Sequence, residues 1–218
     1  MLATARALLR PKVLAAVALP LIWSNQLLPA LRLEVRGRTA ANTGFAAAYA
    51  LAFRGDPNWL SARGFRVGAA IAATVLSGYA VALAIPSGRR RLAELADRGP
   101  AVGTGEWAGV HIPFGTVLAE ELVYRATLTP LLERAAGDSG TGSGALTFGL
   151  SHIQPARAAG DPVPATVAVT TAGGLVFDFL RRRTGSATAP ALLHVALNAG
   201  GALAPRLARR LARRGVGD

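Results

Sequence analysis

The sequence predicts an all-α fold: a polytopic transmembrane helical bundle of about six spans, give or take one, in a single integral-membrane domain over residues 1–218. Three observations predict it. Hydrophobic side chains fill 51% of the positions before the 25 glycines are added, more than the usual share of a soluble domain. The nineteen positions from Val67 to Ile85, VGAAIAATVLSGYAVALAI, carry no charge. Most of the arginines gather at the ends of apolar runs.

Val67–Ile85 is the strongest span, since at ~1.5 Å per residue it covers roughly 28 Å, close to the hydrocarbon thickness of a bilayer. It is followed by Arg89, Arg90 and Arg91. Val13–Leu31 is apolar apart from Ser24, Asn25 and Gln26 and follows Arg6, Arg10 and Lys12. That order also suits a signal peptide, but no small-x-small cleavage site follows, so an uncleaved first span is expected. Thr39–Phe53 is short and reads as re-entrant or tilted, within a region 32–66 that otherwise reads as a loop with Pro57 and Trp59 as interfacial features. Residues 87–104 read as a polar connection holding a short helix, RRRLAELADR. Ile112–Leu132, Ala145–Ile153, Val163–Leu180 and Ala187–Ala204 complete the apolar set. GDSGTGSG at 137–144 reads as a flexible loop. Thr184-Gly185 should end one helix and Ser186 should cap the next. Arg181–Arg183 and the C-terminal arginines flank opposite ends of one segment, which leaves the topology open.

Composition narrows the function classes. Zero cysteines exclude disulfide staples, thiolate metal sites and thiol nucleophiles. Twenty-four basic against twelve acidic residues give a formal charge of +12. A nucleic-acid surface would interleave such charge with aromatics, which are only 6% here, so no nucleic-acid partner is expected. The bilayer is the expected partner. One Lys against twenty-three Arg, with abundant Ala and Gly, points to a GC-rich bacterial genome and a multi-pass protein of the cell membrane.

Ionisable groups inside apolar runs carry the functional signal, because one at a bilayer centre costs ~2.5–3.5 kcal/mol on insertion scales. In AEELVYR, Glu121 and Arg125 are four apart and should pair along one helix face. Glu120 points elsewhere with no partner nearby in sequence, as a general base would, or reaches a wet helix end. His152 ends the run ALTFGLSHI and could be plain packing. His194 and Asn198 in HVALN share a helix face, aimed at one neighbour or merely joining two helices. His111 opens its segment and reads as interfacial. Asp178 in LVFDFLRRR should pair with Arg181–Arg183. The Gly173-Gly174 and Gly200-Gly201 pairs allow close helix approach. Together Glu120, His152, His194 and Asn198 could converge to deprotonate a water, bind a metal or steady an oxyanion.

Three ordered motifs, Glu-Glu-x-x-x-Arg at 120–125, Phe-x-x-x-His at 148–152 and His-x-x-x-Asn at 194–198, resemble the CAAX protease and bacteriocin-processing (CPBP, Abi) family of intramembrane peptidases, which includes the type II CAAX prenyl endopeptidases. The Arg-Thr-Gly-Ser stretch at 183–186 is similar to that family's connection into its last motif. The resemblance implies a peptidase core at about 105–204 and an endopeptidase acting on membrane-associated protein or peptide substrates. It implies Glu120 as activator of the hydrolytic water, His152 as its assistant, and His194 with Asn198 as supports of the tetrahedral intermediate. Glu121, Arg125 and Phe148 are the implied structural supports. It also raises a divalent metal such as zinc, with Glu120, His152 and His194 as ligands, although no His-Glu-x-x-His is present. Prenylated substrates are not expected in a bacterium, so another target is implied. The rival expectation is a non-catalytic scaffold, an immunity-type partner or a proton-coupled carrier that uses the same buried Glu and His.

Overall fold

A computed structural model describes residues 10–97, 99 and 101–214, and all their regular structure is helical. Arg6 and Arg98 lie outside the described residues. The helices are α1 (Pro11–Ala30), α2 (Val35–Phe53), α3 (Ala62–Ala84), α4 (Pro86–Glu94), α5 (104–136), α6 (Asp138–Leu150), α7 (Ile153–Ala159), α8 (Val163–Thr184) and α9 (Thr188–Arg214). Three of them, α1, α3 and α8, are long and apolar enough to cross a membrane. The other apolar segments are helical as well, but they are shorter or carry more charge.

Side-chain ties fix how the helices run. Arg36 meets Glu106, Thr39 meets His111 and Asn42 meets Gly115, so α2 and α5 ascend together as a parallel pair. α3 and α9 are parallel too. Gly68 lies against Ala189, where an added Cβ would stand 2.8 Å from the Ala189 Cα, and the Tyr79 hydroxyl donates to the Leu197 carbonyl at 3.1 Å. α1 runs antiparallel to α2, held by Tyr49 Oη to the Ala16 carbonyl and by Trp23 Nε1 to Asn42. The main apolar core lies where these helices meet α5, α6 and α8, and includes Tyr49, Val123, Leu128, Phe148 and Phe177.

Two loop expectations fail. Residues 35–53 form continuous α2, leaving only 54–61 as the connection, because Ala46, Tyr49 and Phe53 give it a buried face and Glu106 pairs its charged start. The glycine-rich stretch after Gly137 is the first half of α6. Its low helix propensity is overridden by packing: Gly140 and Gly144 let α6 lie directly on Leu132 and Thr129 of α5. Only Gly137, at φ +60°, breaks the chain there. The α8–α9 corner follows its sequence signals. Gly185 is left-handed at φ +67°, and Ser186 Oγ accepts from the Thr188 N–H at 3.0 Å.

α5 is wound unusually. Residues Trp107–Leu118 and Glu121–Leu128 are π-helical, with Ala119 and Glu120 between them. Such winding is commonly a single turn and concentrates at functional sites.

Candidate active site

Glu120 sits at this junction of α5 and forms part of the wall of a cavity of about 300 Å³. The opposite walls come from α1 (Trp23, Ser24), α2 (Arg38, Asn42) and the α6–α7 corner (Ser151, His152), so three helices and that corner frame it. The Glu120 side chain is 25% exposed, and its Oε2 is buried without a hydrogen-bond donor. A carboxylate with one oxygen left unpaired, on the wall of a cavity with room for water, is placed to accept a proton from water.

His152 ends α6 against the same cavity. Its Nδ1 lies 2.8 Å from the Phe148 carbonyl, which can only accept, so Nδ1 carries the proton and Nε2 is left as an acceptor. The corner that holds this ring is clamped from α1. Ser24 Oγ donates to the Ser151 carbonyl at 2.6 Å, Asn25 Nδ2 donates to the Leu150 carbonyl at 3.0 Å, and Asn25 Oδ1 accepts from the Gln154 N–H at 2.9 Å. These α1 residues were visible in the sequence only as polar interruptions of an apolar span. Asn42 is a similar bracket, accepting from Trp23 and donating to the Gly115 carbonyl at 3.0 Å.

His194 stands on the buried side of Glu120. Its Nδ1 is 2.9 Å from Glu121 Oε1, and its Nε2 is 3.7 Å from Glu120 Oε2, too long for a direct hydrogen bond. Its ring stacks on Phe177, with centroids 4.8 Å apart. The imidazole is therefore fixed on three sides, and it joins the adjacent carboxylates Glu120 and Glu121, which point in different directions.

Below it lies a dry charged cluster. Arg125 and Glu121 are 0% exposed and Asp178 is 1% exposed. Arg125 Nε is 3.8 Å from Glu121 Oε2, the i,i+4 pair the spacing predicts, and 3.5 Å from Asp178 Oδ1. The expectation that Asp178 pairs with the arginines beside it is overturned. Arg181 and Arg182, at i+3 and i+4, are taken by Glu133 and Asp138 instead, and Arg183 lies over Phe179. Phe148 joins the parts: its ring lies 4.3 Å from the Arg125 guanidinium and packs edge-on against His152 and His194.

His111 is 3% exposed, with Nδ1 2.7 Å from Thr39 Oγ1 and Nε2 3.1 Å from Glu106 Oε1. Arg36, with His111 behind it, holds the Glu106 carboxyl down at about 2. Asn198 stands apart from the other candidates. It lies one turn beyond His194 on α9, is half-buried, and makes no hydrogen bond among the described residues.

The donor set does not fit a three-ligand metal. Among the described residues no group of three His, Cys, Asp or Glu is gathered for an ion.

Neither a curated protein nor a solved structure matches the chain. Residues 105–200 match the family model described as type II CAAX prenyl endopeptidase Rce1-like. That interval contains every motif residue named above, and at family level it supports a CAAX-type intramembrane protease. The motif-bearing core of this chain, residues 105–200, is thus similar to the Rce1-like type II CAAX prenyl endopeptidases.

Proposed function

We propose that this protein is an intramembrane endopeptidase that hydrolyses peptide bonds of membrane-associated substrates with a water activated by Glu120. The observation that carries the reading is the Glu120 carboxylate, half in a cavity of about 300 Å³ shared with His152 and half against a fixed His194. Glu120 takes a proton from water while His152 Nε2 accepts the second O–H and orients the attack. The new C–O bond forms, and the carbonyl oxygen becomes an oxyanion. His194, braced on Glu121, supports that oxyanion, and the uncommitted Asn198 carboxamide turns in from one helical turn further along α9 to donate to it. Glu120 then passes its proton to the departing amine as the C–N bond breaks. No step uses a metal. The cavity's apolar wall, Phe45, Ala46 and Val123, suits a substrate arriving from the bilayer.

The test is co-reconstitution with a library of membrane-anchored peptides, with new termini read by mass spectrometry. Glu120→Ala and His152→Ala should abolish the new termini while the helical content and melting profile stay those of the wild type. Folded variants that cleave as the wild type does would overturn the mechanism. A wild type that cleaves nothing, with a transport or binding phenotype that persists in Glu120→Gln, would favour the scaffold reading.

A further inference from the structure

The far end of α9 carries a second polar feature, remote from the cavity just described. Arg206, Arg209, Arg210 and Arg213 line a cleft of about 200 Å³ with Thr104, the first residue of α5. Asp97 is an ion-pair partner of Arg209. Arg206, Arg210 and Arg213 have no acidic partner among the described residues. The closest acid on α5, Glu106, is held by Arg36 and His111. Three guanidinium groups thus face one small space with no acidic partner of their own among the described residues.

The same helix turns supply an apolar surface beside them. Leu203, Leu207 and Leu211 follow at a spacing of four and are all exposed, while Ala204 and Ala208 are buried towards the α4 end of the bundle. The arc of α9 therefore runs from buried alanines through exposed leucines to arginines. A basic arc bordering an exposed leucine stripe is the pattern of a helix lying at the headgroup level of a bilayer. The cleft holds the volume of roughly seven water molecules, which suits a phosphate headgroup and excludes a folded partner segment.

We propose that this cleft is a binding site for an anionic phospholipid. Arg206, Arg210 and Arg213 engage the headgroup phosphate, and its acyl chains lie along Leu203, Leu207 and Leu211. Guanidinium forks match phosphate oxygens in pairs, so the site is selective as well as attractive.

The test uses the full chain, delipidated in detergent and titrated with phosphatidylglycerol or phosphatidylcholine, with bound lipid read by native mass spectrometry. The wild type should prefer phosphatidylglycerol by roughly tenfold or more. The Arg206→Gln/Arg210→Gln/Arg213→Gln variant should prefer it by less than about twofold, and the matching Lys variant should keep a reduced preference. A charge-matched control, Arg63→Gln/Arg66→Gln/Arg157→Gln, should bind as the wild type does. The site is overturned if the control loses the preference equally, if the Gln variant keeps it, or if the wild type shows none. Displacement of the lipid by equimolar inorganic phosphate would also overturn it, since the site would then be one for free phosphate.

Discussion

Arg125→Met is the perturbation the buried cluster makes most informative. It keeps the length and apolar stem of the side chain but removes a cation that is 0% exposed between two carboxylates. Breaking a buried ion pair by deleting one partner costs about 3–5 kcal/mol, because the other charge is left without compensation. Here two carboxylates are stranded, and the guanidinium contacts with Phe148 and Phe177, at 4.3 and 4.9 Å, are lost as well. Unfolding in mixed micelles should therefore register a loss of about 4 kcal/mol or more. Adding Asp178→Asn to that background removes one stranded charge and should recover about 1–2 kcal/mol, whereas Asp178→Asn alone destabilises. The reasoning fails if Arg125→Met stays within about 1 kcal/mol of the wild type, or if the double variant is no more stable than the single one.

Two further outcomes follow from the brackets around the site. Asn25→Ala removes two of the three hydrogen bonds that hold the α6–α7 corner to α1, leaving that of Ser24, so peptide cleavage should fall by about tenfold or more while the fold persists. Unchanged turnover would mean that His152 does not depend on that clamp. The Arg36–Glu106–His111 tie should make stability depend on acid. The Glu106 carboxyl is lowered from 4.5 to about 2, chiefly by Arg36, so its contribution is complete above pH 4.5 and disappears as pH falls towards 2. Glu106→Gln should flatten that window in an acid-unfolding titration, and a wild-type slope in the variant would contradict the assignment.

Sequence reading reached α3 and singled out Glu120 for the same reason. A charge-free run of apolar residues and a carboxylate inside such a run are both local anomalies, and each is costly unless explained. It failed where tertiary packing overrides local preference. Gly140 and Gly144 lower helix propensity, yet they let α6 seat on α5. Asp178 was paired with its neighbours in sequence, but its cation comes from α5. Ser24 and Asn25 were visible as interruptions, but their role depends on which helix end lies opposite. The parallel registers of α2 with α5 and of α3 with α9 have no signature in a single chain. Asn198 was grouped with His194 by spacing alone, and the structure leaves its carboxamide without a hydrogen bond among the described residues.

The role of Glu120 is tested most directly by the single-turnover rate of peptide cleavage in Glu120→Gln, measured on folded, reconstituted protein with a peptide that the wild type cuts. The substitution keeps the shape of the side chain and its place in the cavity wall but removes its ability to accept a proton from water. The rate should fall by about 10²–10⁴-fold. A Gln variant that cleaves within a few-fold of the wild type would show that another group activates the water.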